Sequence, residues 1–388
     1  MNNYKKILGD ISAIKKEGLD YYKENYFWPI EDKNYNKFIN SIHNKYLELL
    51  LKNRNKVIYD IMLIDYSFIV VHLEGIFHYN ALKNVSKKCK YEIVAGKESL
   101  NFREPDWHNF KTYYRKIEFP YNYFTRFIRR FLKKIIFNKH LNYFKYFKNF
   151  FSRKKIIGVG SYNILKKEFI EKNEFFCHHY DLPDLIPTIK INQNTYNNEI
   201  SDHILREILN PWFIYIKDEF NVFIDNIDIE KIKLVWLNRL NDVLYIYKKI
   251  LENNKNKNIN KLLVTQMAKP LSKLLIISYQ RLGCDVYGFH HGNDLGLKIY
   301  NIAHQSERAH ASNFIVPTIG ILKAYKKNYE NHIIETKSKT RFYSANSLLY
   351  KKNNKISKKI NFNKIKKIMI MGYPANNNRY VHEFGGFF

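Results

Sequence analysis

A parallel α/β fold is what the sequence predicts, and three stretches predict it. Lys155-Ile156-Ile157-Gly158-Val159-Gly160-Ser161 reads as a strand and tight turn, followed by a helix to about Lys172 and a short strand at Phe175 to His178. Leu262 to Gln266 is a second strand, Pro270 to Leu282 a helix with proline in its first turn and Gly283 at its end, and Asp285 to Phe289 the next strand. After a polar loop and a short helix, Asn313 to Thr318 gives another strand, with Gly320 before a helix from about Ile321 to Tyr329. Strands that alternate with helices cannot be joined by hairpins, so they pair in parallel and bury both faces.

The N-terminal 56 residues carry apolar positions at spacings of three and four, such as Phe38, Ile39, Ile42, Tyr46 and Leu49, which predicts a helical cover. The β-branched run Phe68-Ile69-Val70-Val71 predicts a strand, followed by a helix near Ile76 to Lys87 and a strand at Tyr91 to Gly96. Together these elements predict one Rossmann-like domain over 57–350, with a basic, aromatic insertion at 119–155. A Lys- and Asn-rich linker at 351–364 follows, and then the strand Lys367 to Met371 opens a second Rossmann-like unit, 365–388. The chain stops where that unit's helix is due, which predicts a truncated second domain.

Composition narrows the function classes. The 388 residues are 45% hydrophobic and 16% aromatic, enough for buried cores, so a disordered chain is excluded. The net charge is +29, from 65 Lys and Arg against 36 Asp and Glu. That excess suits phosphorylated small molecules, anionic lipid or nucleic acid, and also a uniform bias toward Lys and Asn codons. The three cysteines, Cys89, Cys177 and Cys284, are too far apart for a disulfide or zinc framework and fit a reducing cytosol. Met1 to Lys16 lacks the apolar core of a signal peptide, and no stretch reaches the ~20 apolar residues of a spanning helix. A cytoplasmic chain is expected, peripheral at most to the inner face of the membrane. Cys177-His178-His179 is a poor metal site, because neighbouring side chains of a strand point to opposite faces, and no metal is expected.

Two loops follow strands where chemistry is usual. Gly158-Val159-Gly160-Ser161-Tyr162-Asn163 has the place of a dinucleotide fingerprint but carries Asn163 for its third glycine, leaving open a phosphate cradle or a plain tight turn. Phe289-His290-His291-Gly292-Asn293-Asp294-Leu295-Gly296 directly follows an apolar strand, at the carboxyl edge of the expected sheet. Histidine there can take a proton or donate to a phosphate oxygen, so His291 and His290 are the catalytic candidates. The glycine after His291 leaves its ring less crowded and favours it as the base. Gly292, Asn293, Ser306 and Glu307 are candidate substrate-binding groups, together with Arg379 in the second unit.

A strand ending in His-His-Gly, then a loop with Ser306-Glu307, then a strand ending in Pro317-Thr318-Ile319-Gly320 resembles the N-terminal half of GT-B glycosyltransferases and related glycerophosphotransferases of surface-polysaccharide synthesis. The likeness covers roughly residues 260–330, with support from the strand at 366–374. It implies a GT-B-like N-terminal domain and no cofactor, the nucleotide-sugar being a substrate. It also implies a lipid-linked or polysaccharide acceptor and a C-terminal domain that holds most of the donor. No Asp-x-Asp triplet occurs, which fits a metal-independent reaction.

Phe124 to Lys155 is the remaining signal. Phe124, Phe127, Ile128, Phe131, Leu132, Ile135 and Ile136 recur at helical spacing among eleven basic residues, including Arg126, Arg129, Arg130, Lys133 and Lys134. No acid occurs from Phe119 to Lys167. Such a helix suits an anionic membrane surface, or an apolar face packed on the core with its basic side in water. Aromatic and basic interleaving also fits a single-strand nucleic-acid binder, but no common nucleic-acid module is legible and that partner is disfavoured. A non-catalytic membrane-surface remnant is the third alternative.

Overall fold

The computed structural model describes residues 6–8, 31–53, 56–89, 92–94, 128, 131–132, 138, 140–141, 155–160, 163–180, 185, 198–221, 226–255, 258–265, 270–290, 311–329 and 340–346. The linker at 351–364 and the unit at 365–388 lie outside them.

Among the described residues, eight short strands form two sheets. In the smaller, β1 (Lys6–Leu8) pairs in parallel with β2 (Glu92–Val94). The larger contains β3 (Lys155–Val159), β4 (Cys177–Tyr180), β5 (Ile259–Val264), β6 (Asp285–Phe289), β7 (Asn313–Val316) and β8 (Arg341–Ser344). Its spatial order is β4-β3-β5-β6-β7-β8, and every neighbouring pair is parallel.

The helices in chain order are α1 (Asp32–Lys52), α2 (Lys56–Cys89), α3 (Ile164–Lys172), α4 (Asn198–Ile204), α5 (Asn210–Phe220), α6 (Asn226–Asn254), α7 (Pro270–Arg281) and α8 (Ile319–Tyr329). A π-type turn, Leu205–Leu209, joins α4 to α5. This is a mixed α/β fold with a parallel sheet flanked by helices, a generic Rossmann-like arrangement.

Winding direction decides which face each helix covers. The step from β3 to β4 runs one way across the sheet, whereas those from β4 to β5 and onward to β8 run the other way. Right-handed crossovers therefore send α3 to one face and the later helices to the opposite face. Packing follows suit. Leu165 and Ile170 of α3 meet Leu263, Phe289 and Ile315, while α7 and Tyr325 of α8 join the core on Leu262, Val264, Val286, Phe314 and Val316.

The expected strand at Phe68 to Val71 is a correction: these residues lie in the middle of α2, a helix of 34 residues. α2 packs on α1, α6 and α7, and Ile61, Met62, Leu63 and Ile64 are all fully buried, so its apolar residues go round the whole circumference. Under ~0.7 kcal/mol per residue of helix propensity is lost to β-branching, against about 1.5–3 kcal/mol gained by burying each such side chain. Burial wins, and helix takes the place of the first strand in the unit expected over 68–96. Of the helical cover expected over 1–56, Asp32–Lys52 is helix but Lys6–Leu8 is strand.

Buried polar contacts set the register of this helical layer. Asp60 of α2 accepts from Arg281 Nε and Nη2 at 2.7 and 2.6 Å and from the Tyr247 hydroxyl at 2.5 Å. One turn on, Asp65 accepts from Arg239 Nε at 2.5 Å, both side chains buried. Trp212 of α5 donates Nε1 to the Ile42 carbonyl at 2.9 Å and lies against Tyr46.

Candidate ligand site at the carboxyl edge of the sheet

Strand order reverses between β3 and β5, since β4 lies on one side of β3 and all later strands on the other. In open parallel sheets the crevice for ligand opens outside the carboxyl ends of the strands at such a switch. The β3 end is formed by Val159 and Gly160. Gly160 has φ 91°, a left-handed conformation that glycine adopts without cost and that turns the chain off the sheet.

Asn163, which stands where a third fingerprint glycine would, is the N-cap of α3. Its Oδ1 accepts from the Lys166 amide at 3.0 Å, satisfying one of the helix's free donors. Its Nδ2 donates to the His290 carbonyl at 3.0 Å, tying the turn after β3 to the end of β6. The turn is thus capped by a side chain that a glycine could not supply.

Lys166, fully buried, places Nζ 3.3 Å from both the Val159 carbonyl and His179 Nε2. The Thr265 hydroxyl at the end of β5 donates to the same carbonyl at 3.5 Å. Burial pushes the thiol of Cys177, beside this group, up to about 12, which holds it protonated. Cys177 pairs its backbone with the Asn138 side chain, N–H to Oδ1 at 2.7 Å and carbonyl to Nδ2 at 2.9 Å.

Gly158 is required by this packing. A Cβ there would lie 2.7 Å from Cys177 Sγ and 3.4 Å from the His179 ring, in the interior of the sheet between β4 and β5. Gly158→Ala is expected to destabilise by about 1–3 kcal/mol, as overpacking does, read as a lower urea midpoint at unchanged slope. An unchanged midpoint would show that β4 moves away freely.

His290 lies where the sequence puts it, directly after β6 at the carboxyl edge. Its amide donates to the Ile315 carbonyl at 2.9 Å, and its buried ring stands edge-on to Tyr325 at 5.9 Å, on the α8 side. His291, Gly292, Asn293, Ser306, Glu307 and Arg379 lie outside the described residues, as do Arg126, Arg129, Arg130, Lys133 and Lys134. The residues brought together are Gly160, Asn163, Lys166, His179, Thr265 and His290. Sequence reasoning missed Lys166 and Thr265. The one available signal was the spacing of Asn163 to Lys166, a cap and its third helical residue. No group of three metal-ligating side chains occurs among the described residues.

The fold and edge define a class by architecture: a wound parallel α/β protein of generic Rossmann-like arrangement. No family model, curated protein or solved structure matches the chain.

Proposed function

We propose that the chain is a glycosyltransferase-like protein that holds a nucleotide-sugar at this carboxyl edge and transfers the sugar to a surface-polysaccharide precursor. The observation that carries the proposal is the convergence of three strand ends at the switch point: the Gly160 turn of β3, Thr265 of β5 and His290 after β6. Glycine lets a phosphate approach the backbone, the first turn of α3 favours negative charge, and His291, in the loop that follows His290, would supply the imidazole for proton transfer. The sequence resemblance over 260–330 supports the same assignment, and a two-domain GT-B arrangement is the finer form of it.

Binding to a panel of uridine, guanosine and cytidine diphosphate sugars tests the donor half. A ligand at 100 times its Kd should add about 2.7 kcal/mol of stability, seen as a raised melting temperature. Gly160→Val should abolish that rise, with Thr265→Val as the milder variant. No shift with any member of the panel would sink donor binding.

A membrane-surface site is favoured by a separate observation. Ile128, Phe131 and Leu132, at helical spacings of three and four, are 40%, 54% and 51% exposed, so part of this apolar face meets solvent. Exposed apolar groups within a stretch of eleven basic residues suit the headgroup boundary of anionic lipid. No helix among the described residues is long and apolar enough to cross a membrane. The chain should sediment with phosphatidylglycerol vesicles, be released by roughly 1 M salt, and lose most binding in Phe131→Ser/Leu132→Ser. Equal retention on phosphatidylcholine would remove this site, and binding to oligonucleotides alone would favour the nucleic-acid alternative.

A further inference from the structure

Among the described residues, the face of the large sheet that carries α3 is covered at one end and bare at the other. Because every step from β5 to β8 runs in one direction, right-handed winding places α7 and α8 on the opposite face. Over the bare part lies a trough of about 960 Å³, bounded by the C-terminal half of α3 and by β8. Tyr287, Asn313 and Ile315 lie along it, Tyr287 and Asn313 directly opposite each other in the β6–β7 register.

Asn313 is the telling residue. It is 2% exposed, and its Nδ2 finds no acceptor among the described residues. A buried amide left so carries an uncompensated desolvation cost, which a ligand oxygen in the trough would recover. The charges around it cancel. Lys172, Lys261 and Arg341 face Glu168, Glu171 and Asp285, in a chain whose overall charge is +29. Lys261 is already engaged by Asp285 at 3.7 Å and the Tyr287 hydroxyl at 3.2 Å. A polyanion gains no net attraction here, and an apolar helix would strip water from these six charges.

Aromatic rings complete the lining. Tyr343 of β8 is 44% exposed, and Phe169 of α3 lies tilted on Tyr287 with centroids 5.2 Å apart. The negative face of such rings attracts the slightly positive C–H face of a sugar ring. A ligand with flat C–H faces and many uncharged hydroxyls, each able to donate and accept, meets all three features.

We propose that this trough is a binding site for a neutral oligosaccharide, with a sugar oxygen accepting from Asn313 Nδ2 and a pyranose face on Tyr343. The site lies over the sheet face, away from the carboxyl-edge residues Gly160, Thr265 and His290. It stands whether or not a nucleotide-sugar binds there.

The test is saturation-transfer NMR and calorimetry on the full chain with neutral hexasaccharides of the malto, cello, xylo and chito series, no nucleotide present. At least one series should bind, and Tyr343→Ala, at an exposed position, should weaken it at least about tenfold. Asn313→Asp, which removes the donor while keeping the shape, should do the same, with far-ultraviolet dichroism confirming the fold. Glu252→Gln, exposed on α6 and outside the trough, should leave affinity unchanged. Absence of binding by every series overturns the proposal, as does binding that both trough variants leave intact. Response only to phosphorylated or sulfated sugars also overturns it, by showing an anion site.

Discussion

Arg239→Ala is expected to cost about 3–5 kcal/mol of stability, because it strands the Asp65 carboxylate inside the helical layer. The pair is buried on both sides, and Asp65 accepts from Arg239 Nε at 2.5 Å. Burial raises the Asp65 carboxyl above its ordinary value against the pull of Arg239 and, more weakly, Lys273; burial likewise lowers Arg239. Removing Arg239 leaves Lys273 as the cation opposing that rise. An acid whose folded value lies above its unfolded one is favourable while protonated and loses stability as pH rises through the folded value. The loss in Arg239→Ala should therefore be larger at about pH 8 than at about pH 5, read from urea midpoints. Replacing both partners, Asp65→Leu with Arg239→Met, should recover most of it. A single variant as stable as the parent at both pH values would show that the charge is not buried in solution.

Under the proposed sugar transfer, His291→Ala is expected to lower turnover roughly 10² to 10⁴-fold with the fold intact, as loss of a general base does. His290→Ala should behave otherwise. The His290 ring lies buried against Tyr325, whose own ring stacks on Phe314 at 5.7 Å, so its loss removes packing beneath the carboxyl edge. A lower melting temperature with near-normal turnover per folded molecule is expected for it. Thermal melts beside turnover separate the two effects. Normal turnover in His291→Ala would mean that neither the loop's second histidine nor its glycine marks the chemistry.

The best-read part of the fold is the part with punctuation. Pro270 opens α7 at its first residue, and Gly283 follows it with φ 86°, the left-handed conformation that ends helices. β6 coincides with the expected Asp285 to Phe289, and β3, α3 and β7 fall within a few residues of expectation. The C-terminal part of α2 was legible, the helix expected near Ile76 to Lys87 lying within it, but its middle was not, because a β-branched run among buried positions on every side cannot be assigned by periodicity.

α4 to α6 went unread altogether. Their buried residues, such as Trp212, Trp236 and Tyr247, are held by tertiary contacts to α1 and α2, which sequence spacing does not record. Of the candidate site, the placement of His290 was legible from the strand before it. The Asn163 bridge to the His290 carbonyl was not, since it spans 127 positions of chain. Lys166 has the appearance of a solvated lysine in sequence and becomes a buried one only when β4 and α3 close over it.

The bonds that anchor α2 also impose an order on synthesis. Asp60 meets Arg281 across 221 positions and Asp65 meets Arg239 across 174. At about 5–20 residues per second, a ribosome needs roughly 10–40 s to make Arg281 after Asp60. For that interval the buried middle of α2 has emerged with α1 but without α6 or α7, the other two helices that pack on it. Production of the chain should accordingly depend on a holding chaperone at the exit tunnel, and a slow stretch of codons between the two halves should lower the soluble yield.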